Sequence, residues 1–533
     1  MSAGGLARRG RGLALGAALA FGLPGVARAM PPGADGRALR DAATALAEVR
    51  VAESGRILER LAARYPNAPD VRFERAMYRF TRGDYAGAVA DLDAAGDRSA
   101  LRSGGDRETL AALIRATHEA TSSYVSAAST DGRYVVRHAP GPDAVLVPYA
   151  LEAMRAADRA LTTALGVEVP GPLRLEVYPT AASLARVSSL TVEDIETTGT
   201  IALCKWDRIM VTSPRALVRG YPWLDTVGHE LVHLFLSRAS RDRAPVWLQE
   251  GVAKFYERTW RGEPPGAHLH PAEEALLQEA AHADRLLSFD RLHPSIARLP
   301  SQRDAALAFA QVATFVEAFH GAEGSDGLRR AVRAIARGQD ARAALADVAG
   351  RAWSSLEGAW RDALAERPDP ATPPPELLQR QLRVAGVEGD ESSEVADDQA
   401  RRHLRLGDLL WDRQRPAAAA VEYGEAHGRV PDDPIVASRL ARAALAGGDP
   451  RRAVDALAPF RERYPEHAPT WSVSGSAWRQ LGEVAEARGA LVEALRLNPF
   501  DPQPHCDLAE IATTDEERRR ERDACRQLGG PRR

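Results

Sequence analysis

Two histidines and two glutamates in this chain are spaced so that they could hold and use a metal ion. The stretch Thr226-Val227-Gly228-His229-Glu230-Leu231-Val232-His233-Leu234-Phe235-Leu236 contains HExxH, and its only charge is Glu230. On a helix, residues four apart stand one turn apart on the same face, so His229 and His233 would offer two imidazoles to one ion. Neutral imidazole is a common zinc ligand, and tetrahedral zinc accepts such a pair. Glu230 sits beside the ligands without being one, where it can take a proton from a water activated at the metal.

A catalytic zinc site has a third protein ligand and an open position. Pro245-Val246-Trp247-Leu248-Gln249-Glu250-Gly251-Val252-Ala253 follows shortly and offers Glu250. The polar, Arg-rich segment between, Ser237-Arg238-Ala239-Ser240-Arg241-Asp242-Arg243-Ala244, reads as the turn that folds a second helix back on the first. Without a cation, Glu230 and Glu250 would be costly charges beside apolar runs. The metal set is therefore His229, His233 and Glu250 for Zn2+, with Glu230 as the catalytic base.

HExxH followed by W-L-x-E-G-x-A resembles the gluzincin metallopeptidases, and most closely the compact bacterial peptidase MA-like domain. The resemblance spans residues 130–367. Tyr134-Val135-Val136-Arg137-His138 resembles the opening strand, Leu173-Arg174-Leu175-Glu176-Val177-Tyr178 the next, and Arg208-Ile209-Met210-Val211-Thr212 the strand before the active-site helix. Ala308-Phe309-Ala310-Gln311 and the run Phe315 to Gly321 resemble the helix after the glutamate ligand, and Leu356 to Arg361 the closing helix. The resemblance implies an α+β thermolysin-like fold, with an N-terminal mixed sheet and a helical C-terminal half, and zinc-dependent hydrolysis of peptide bonds. It also implies that Arg208–Thr212 is the open edge of the sheet, where an extended peptide would add a strand. No G-x-M-E-N-like segment for binding a substrate amine is present, which favours an endopeptidase.

Two positions depart from the family. Many relatives carry an oxyanion-stabilising tyrosine where this chain has Phe309, with Tyr256, His268 and His270 as candidate substitutes. Thermolysin-type enzymes place an aspartate four residues after the glutamate ligand to support a zinc histidine. Here that position is Lys254, and Asp225, one turn before His229, is the alternative.

The elements around this site come from repeats. Pro431, Pro465 and Pro499 recur every 34 residues, as do Ala419, Ala453 and Ala487. That is the tetratricopeptide period of two antiparallel helices per repeat. It predicts an all-α array over residues 397–528, whose surface could bind a protein partner or serve only as scaffold. Arg64-Tyr65-Pro66-Asn67-Ala68-Pro69 and Gly83-Asp84-Tyr85-Ala86 echo the later repeats, so residues 37–120 are expected to form a helical module before the zinc domain. Prolines in residues 368–375 end the central domain, and the acidic run Glu388-Gly389-Asp390-Glu391-Ser392-Ser393-Glu394 continues a linker over residues 368–396.

At the start, Arg8, Arg9 and Arg11 precede an apolar stretch and an Ala27-Arg28-Ala29 pattern. Residues 1–29 read as a secretory signal cut after Ala29, placing the protein in the periplasm or outside the cell, with no stable membrane span afterwards. A net charge of −3 with interspersed signs gives no reason to expect nucleic acid as a partner. Of the three cysteines, Cys506 and Cys525 would face each other across a helix hairpin whose second helix starts at a Thr514/Glu517 capping box. Paired or free, they leave Cys204 in an apolar strand. Two functions follow: an exported zinc metallopeptidase whose repeats recruit substrate or partner, or a catalytically weak peptidase fold acting as a binding or assembly module in the envelope.

Overall fold

The computed structural model describes residues 33–95, 105–292, 295–367, 375–383 and 391–530. Residues 1–29, expected to be a secretory signal, and the proline run as far as residue 374 lie outside them. The described residues are mostly helical, with one small mixed sheet among them near the middle of the chain.

Among the described residues the first helices are α1 (Ala34–Ala47), α2 (Val51–Arg64), α3 (Pro69–Thr81), α4 (Tyr85–Ala94) and α5 (Gly105–Thr121). They form hairpins with small residues at the contacts: Ala42, Ala76 and Ala88 are fully buried. Pro69 opens α3, where its missing N–H costs nothing, and the Asp84 side chain caps α4 through the Gly87 N–H.

The central region begins with β1 (Val125–Ala128) and β2 (Tyr134–His138), followed by α6 (Val147–Leu165) and β3 (Leu173–Tyr178). Next come α7 (Ala181–Arg186), α8 (Val192–Thr198), β4 (Ala202–Lys205) and β5 (Arg208–Thr212). The strand order is β1-β2-β3-β5-β4, with β2, β3 and β5 parallel and the two outer strands antiparallel. The period of two is plain in the burial. Leu175, Val177, Ile209 and Val211 face the main core, while Tyr178 and Met210 face a second cluster beneath α7. On that second face, Glu176 is buried between Arg208 and Arg137 and accepts hydrogen bonds from Tyr85 and Tyr178. A carboxylate without solvent is tolerable only when paired in this way. Through Tyr85, and through Arg174 bonded to the Thr81 carbonyl, the pairing fastens the first helical module to the sheet.

The sheet differs from the sequence expectation at one point. Arg208–Thr212 is an interior strand, and β4 is the edge. The two are joined by a two-residue turn in which Trp206 (φ 53°) and Asp207 (φ 58°) are both left-handed. Such turns usually contain glycine or asparagine. Here Trp206 packs on Phe80, and Asp207 pairs with Arg238 at 2.6 Å, so tertiary contacts hold the turn.

Helices α9 (Trp223–Ser240), α10 (Val246–Tyr256), α11 (Pro271–His282), α12 (Gln302–Ala336), α13 (Ala341–Ala349) and α14 (Trp353–Ala365) complete the centre. Among the described residues, α12 is the one helix long and apolar enough to cross a membrane by length and composition; most of its apolar window is buried within the protein.

The C-terminal array contains α15 (Asp398–Asp412), α16 (Pro416–Arg429), α17 (Pro434–Ala446), α18 (Pro450–Arg463), α19 (Ala468–Leu481), α20 (Val484–Leu497), α21 (Pro502–Glu510) and α22 (Asp515–Gln527). Asp433, Asp449 and Asp501 each cap a helix whose first residue is proline, the first and last at repeat boundaries and Asp449 at the turn inside a repeat. Cys506 and Cys525 are joined across the last hairpin. The array packs on the centre: the Trp223 indole donates to the Leu495 carbonyl at 3.1 Å and the Tyr221 N–H to that of Leu497 at 2.9 Å. The described parts of the linker are docked as well. Leu382 bridges to Leu217 in an antiparallel pair, and Glu391 is buried against the repeats.

Candidate metal centre

Helix α10 lies close to α9 at one end and close to α12 along its length because glycine stands at both crossings. A Cβ at Gly251 would lie 2.6 Å from the Val312 carbonyl oxygen of α12, and one at Gly228 would collide with the Glu257 carbonyl. The turn between α9 and α10 uses left-handed backbone at Arg241 and Asp242, and Pro245 ends it.

This packing brings one ligand atom each from His229, His233 and Glu250 within 4.8 Å of one another. His229 Nε2 lies 3.1 Å from His233 Nε2 and 3.2 Å from Glu250 Oε2, and His233 Nε2 lies 3.3 Å from the same oxygen. A tetrahedral zinc with bonds of about 2.0–2.1 Å separates its ligand atoms by about 3.3–3.4 Å. The triangle is within a few tenths of an ångström of one face of that tetrahedron. Glu230 is buried, and its Oε2 has no hydrogen-bond partner. Burial pushes its pKa up, against the pull of His233 and His229.

Behind His229 stands a residue that sequence reasoning missed. Glu257 Oε2 accepts from His229 Nδ1 at 3.3 Å, and its other oxygen accepts from Lys254 Nζ at 2.8 Å. Burial alone would raise the Glu257 pKa; Lys254 and His229 overcome this and hold it at about 2. With Nδ1–H turned to Glu257, the Nε2 lone pair of His229 faces the centre of the triangle. Glu250, Lys254 and Glu257 fall at i, i+4 and i+7, one face of a helix, which was the available signal. Against its burial, Glu250 and Glu257 push the His229 pKa up to about 10, so the carboxylates around the imidazoles call for positive charge at this point, which a divalent cation would supply in place of the proton. The donor set, the spacing and the unpartnered Glu230 oxygen all fit Zn2+.

The other sequence candidates are placed as follows. The Phe309 ring lies 6.2 Å from the His229 ring, edge to face, so α12 has the expected register and presents no hydroxyl there. The Tyr256 ring packs edge-on to His320, His268 Nε2 is 2.9 Å from the Pro264 carbonyl, and His270 pairs with Glu466 of the repeats at 2.9 Å. Asp225 does not support a histidine: it accepts from Arg261 and from the Trp260 indole. Its place one turn before His229 is right, but the Arg261 side chain reaches it first.

Replacing Glu257 by Gln should weaken zinc binding about 10–100-fold, since supporting carboxylates of zinc histidines have effects of that size. Competition with a chelator of known affinity measures it. Unchanged affinity in a variant of normal melting temperature would remove Glu257 from this role.

Comparison with known proteins bears on the repeats. The tetratricopeptide repeat family profile matches residues 438–502. No curated protein matches the chain. Among solved structures, a thermophilic tetratricopeptide protein from Thermus thermophilus is similar at 24% identity, covering 24% of this chain and 72% of its own, with a TM-score of 0.22. The Cut9–Hcn1 tetramer of the APC/C is similar at 12% identity, covering 92% and 78%, with a TM-score of 0.25. Native yeast LTA4 hydrolase is similar at 11% identity, covering 76% and 67%, with a TM-score of 0.27. Likenesses at these identities and TM-scores assign no chemistry. The chain carries tetratricopeptide repeats, which suggest a protein-binding or assembly role.

Proposed function

We propose that the chain is an exported zinc metallopeptidase of the gluzincin type, its central region running from about residue 130 to 367 between two helical-repeat modules. The observation that carries this reading is the triangle of His229, His233 and Glu250 with the unpartnered carboxylate oxygen of Glu230 on the same helix. Bound zinc would supply Lewis acidity, acidifying water and polarising a carbonyl. Glu230 accepts the proton from the attacking water and delivers it to the departing amine. Glu257 keeps the Nδ1 proton of His229 and fixes the ring. The joined Cys506 and Cys525 fit the oxidising compartment that the signal segment implies.

The peptide backbone is held by β4. In the β4–β5 pair, Thr212 N–H bonds the Ile201 carbonyl, and the register continues Leu203 to Met210 and Lys205 to Arg208. Antiparallel pairs alternate, so the N–H and C=O of Ala202 and Cys204 point away from β5 to the open edge. Their side chains pack against the core that contains α9, and Glu230 is among the groups that push the Cys204 thiol up, after burial. An extended peptide adding to this edge therefore lies alongside the zinc helix. Cys204→Pro removes an outward donor while leaving the β4–β5 bonds intact, a position where proline is tolerated. It should cut cleavage of all peptides about tenfold or more, the loss of a backbone hydrogen bond being worth ~1.5 kcal/mol, with zinc content unchanged. Selective loss for a few peptides would point to a side-chain pocket instead.

Phe309→Tyr should raise cleavage, by about tenfold, because a single oxyanion donor is worth about 10²–10³ where fully organised. Steady-state rates on one peptide compare the two proteins, and a fall in rate with zinc retained would show that the ring faces away from the reacting carbonyl. The reading as a whole is tested by measuring zinc per chain in the purified protein beside cleavage of a broad peptide library. About one zinc and chelator-sensitive cleavage are expected. A metal-free protein that cleaves nothing would leave the second reading, a repeat protein that binds or assembles partners in the envelope. Phe309 and the extent of the repeats favour that alternative.

A further inference from the structure

The acidic segment before the repeats is seated on them. Residues Glu391–Glu394 form a single 3-10 turn, with Glu391 and Ser392 buried. The Glu391 carboxylate accepts from Arg439 of α17 at 3.2 Å and lies 3.2 Å from His467 Nε2, in the turn before α19. The Ser392 hydroxyl accepts from Arg405 of α15 at 3.2 Å, and the Ser393 carbonyl from Arg401 at 3.4 Å. Val395, fully buried, is the one apolar anchor, packed with Leu404 and Val436. Burial would raise the Glu391 pKa, but His467 and Arg439 hold it down at about 2. Three arginines and a histidine, from the first helices and turns of successive repeats, thus converge on a short stretch of four residues. Its remaining carboxylate, Glu394, pairs with Arg219, in the loop that leads into α9.

We infer that this face of the repeat array is a receptor for an acidic, serine-bearing peptide segment, filled here from within by residues 391–395, and that a partner protein presenting such a segment competes for it. Charge complementarity selects the partner: the contacts are arginine and histidine donors meeting carboxylate, hydroxyl and carbonyl oxygens, which an apolar or basic peptide cannot satisfy. Tethering explains why the internal copy wins at rest. A segment joined to its site by a short link competes at an effective concentration of about 1 mM. Displacement would also release Glu394 from Arg219, so partner binding is felt at the start of the zinc helix. The inference does not depend on the metallopeptidase reading, since binding alone tests it.

The probe is a fluorescein-labelled peptide of sequence Glu391–Asp398, added to the full chain and followed by anisotropy. Glu391→Ala combined with Glu394→Ala should empty the site in cis, so this protein binds the peptide at least tenfold more tightly than wild type. Adding Arg439→Ala, or replacing both glutamates of the peptide by glutamine, should each weaken binding at least tenfold. If the double variant is not folded, Glu391→Gln alone enters the same comparison. A folded variant that binds no peptide, or binds the glutamine peptide equally well, overturns the inference. Equal binding by wild type and variant does so too, because the face would then not be occupied from within.

Discussion

Glu230→Gln should leave zinc at the wild-type level and lower peptide cleavage about 10²–10⁴-fold, the usual worth of a positioned general base. The substitution keeps shape and volume. Glu230 contributes no atom to the triangle of His229, His233 and Glu250, so the metal has no reason to leave. What disappears is the one buried carboxylate oxygen on that helix with no hydrogen-bond partner, the atom free to receive a proton. An amide cannot receive it. Metal analysis and initial rates on the same preparation decide the matter. Cleavage that persists at the wild-type rate would take Glu230 out of the reaction, and zinc lost together with activity would make it a ligand.

His233→Ala should empty the centre almost completely, to below about a tenth of an equivalent, because zinc needs three protein ligands here and two remain. Alanine favours helix, and His233 lies in the interior of α9, so the helix itself persists. Thermal melting gives a second readout. A ligand bound only to the native state raises stability in proportion to the logarithm of its concentration over Kd. Chelator should therefore lower the melting temperature of wild type and leave that of His233→Ala unmoved. A variant that retains a full equivalent of zinc would refute the ligand set.

What could be read in the sequence and what could not divide along physical lines. The repeats were legible because their helices are short, their turns carry Asp-Pro, and the period is fixed. The meeting of His229, His233 and Glu250 was foreshadowed because two of the three sit on one helix turn and the third follows one short loop. The edge of the sheet was misread because β4 and β5 are joined through Trp206 and Asp207, residues that announce no hairpin and are held there by Phe80 and Arg238. Glu257 was missed because its role depends on how the end of α10 lies against α9, a tertiary fact set by Gly228, whose Cβ would meet the Glu257 carbonyl. The acidic segment before the repeats read as solvated linker; its burial depends on Arg439 and His467, far along the chain.

The indole of Trp223 reaches across 272 residues of chain to the Leu495 carbonyl. Trp223 opens the helix that bears both histidines, and Leu495 belongs to the last helix before the final hairpin. Chains are made from the N-terminus, and domains generally fold in that order. During synthesis, then, the histidine helix spends the interval between residues 223 and 495 without the partner that fixes its beginning. The first turn of that helix cannot take its final hydrogen bond until the chain has passed residue 495. Order of synthesis thus places the anchoring of the histidine helix after the making of most of the array.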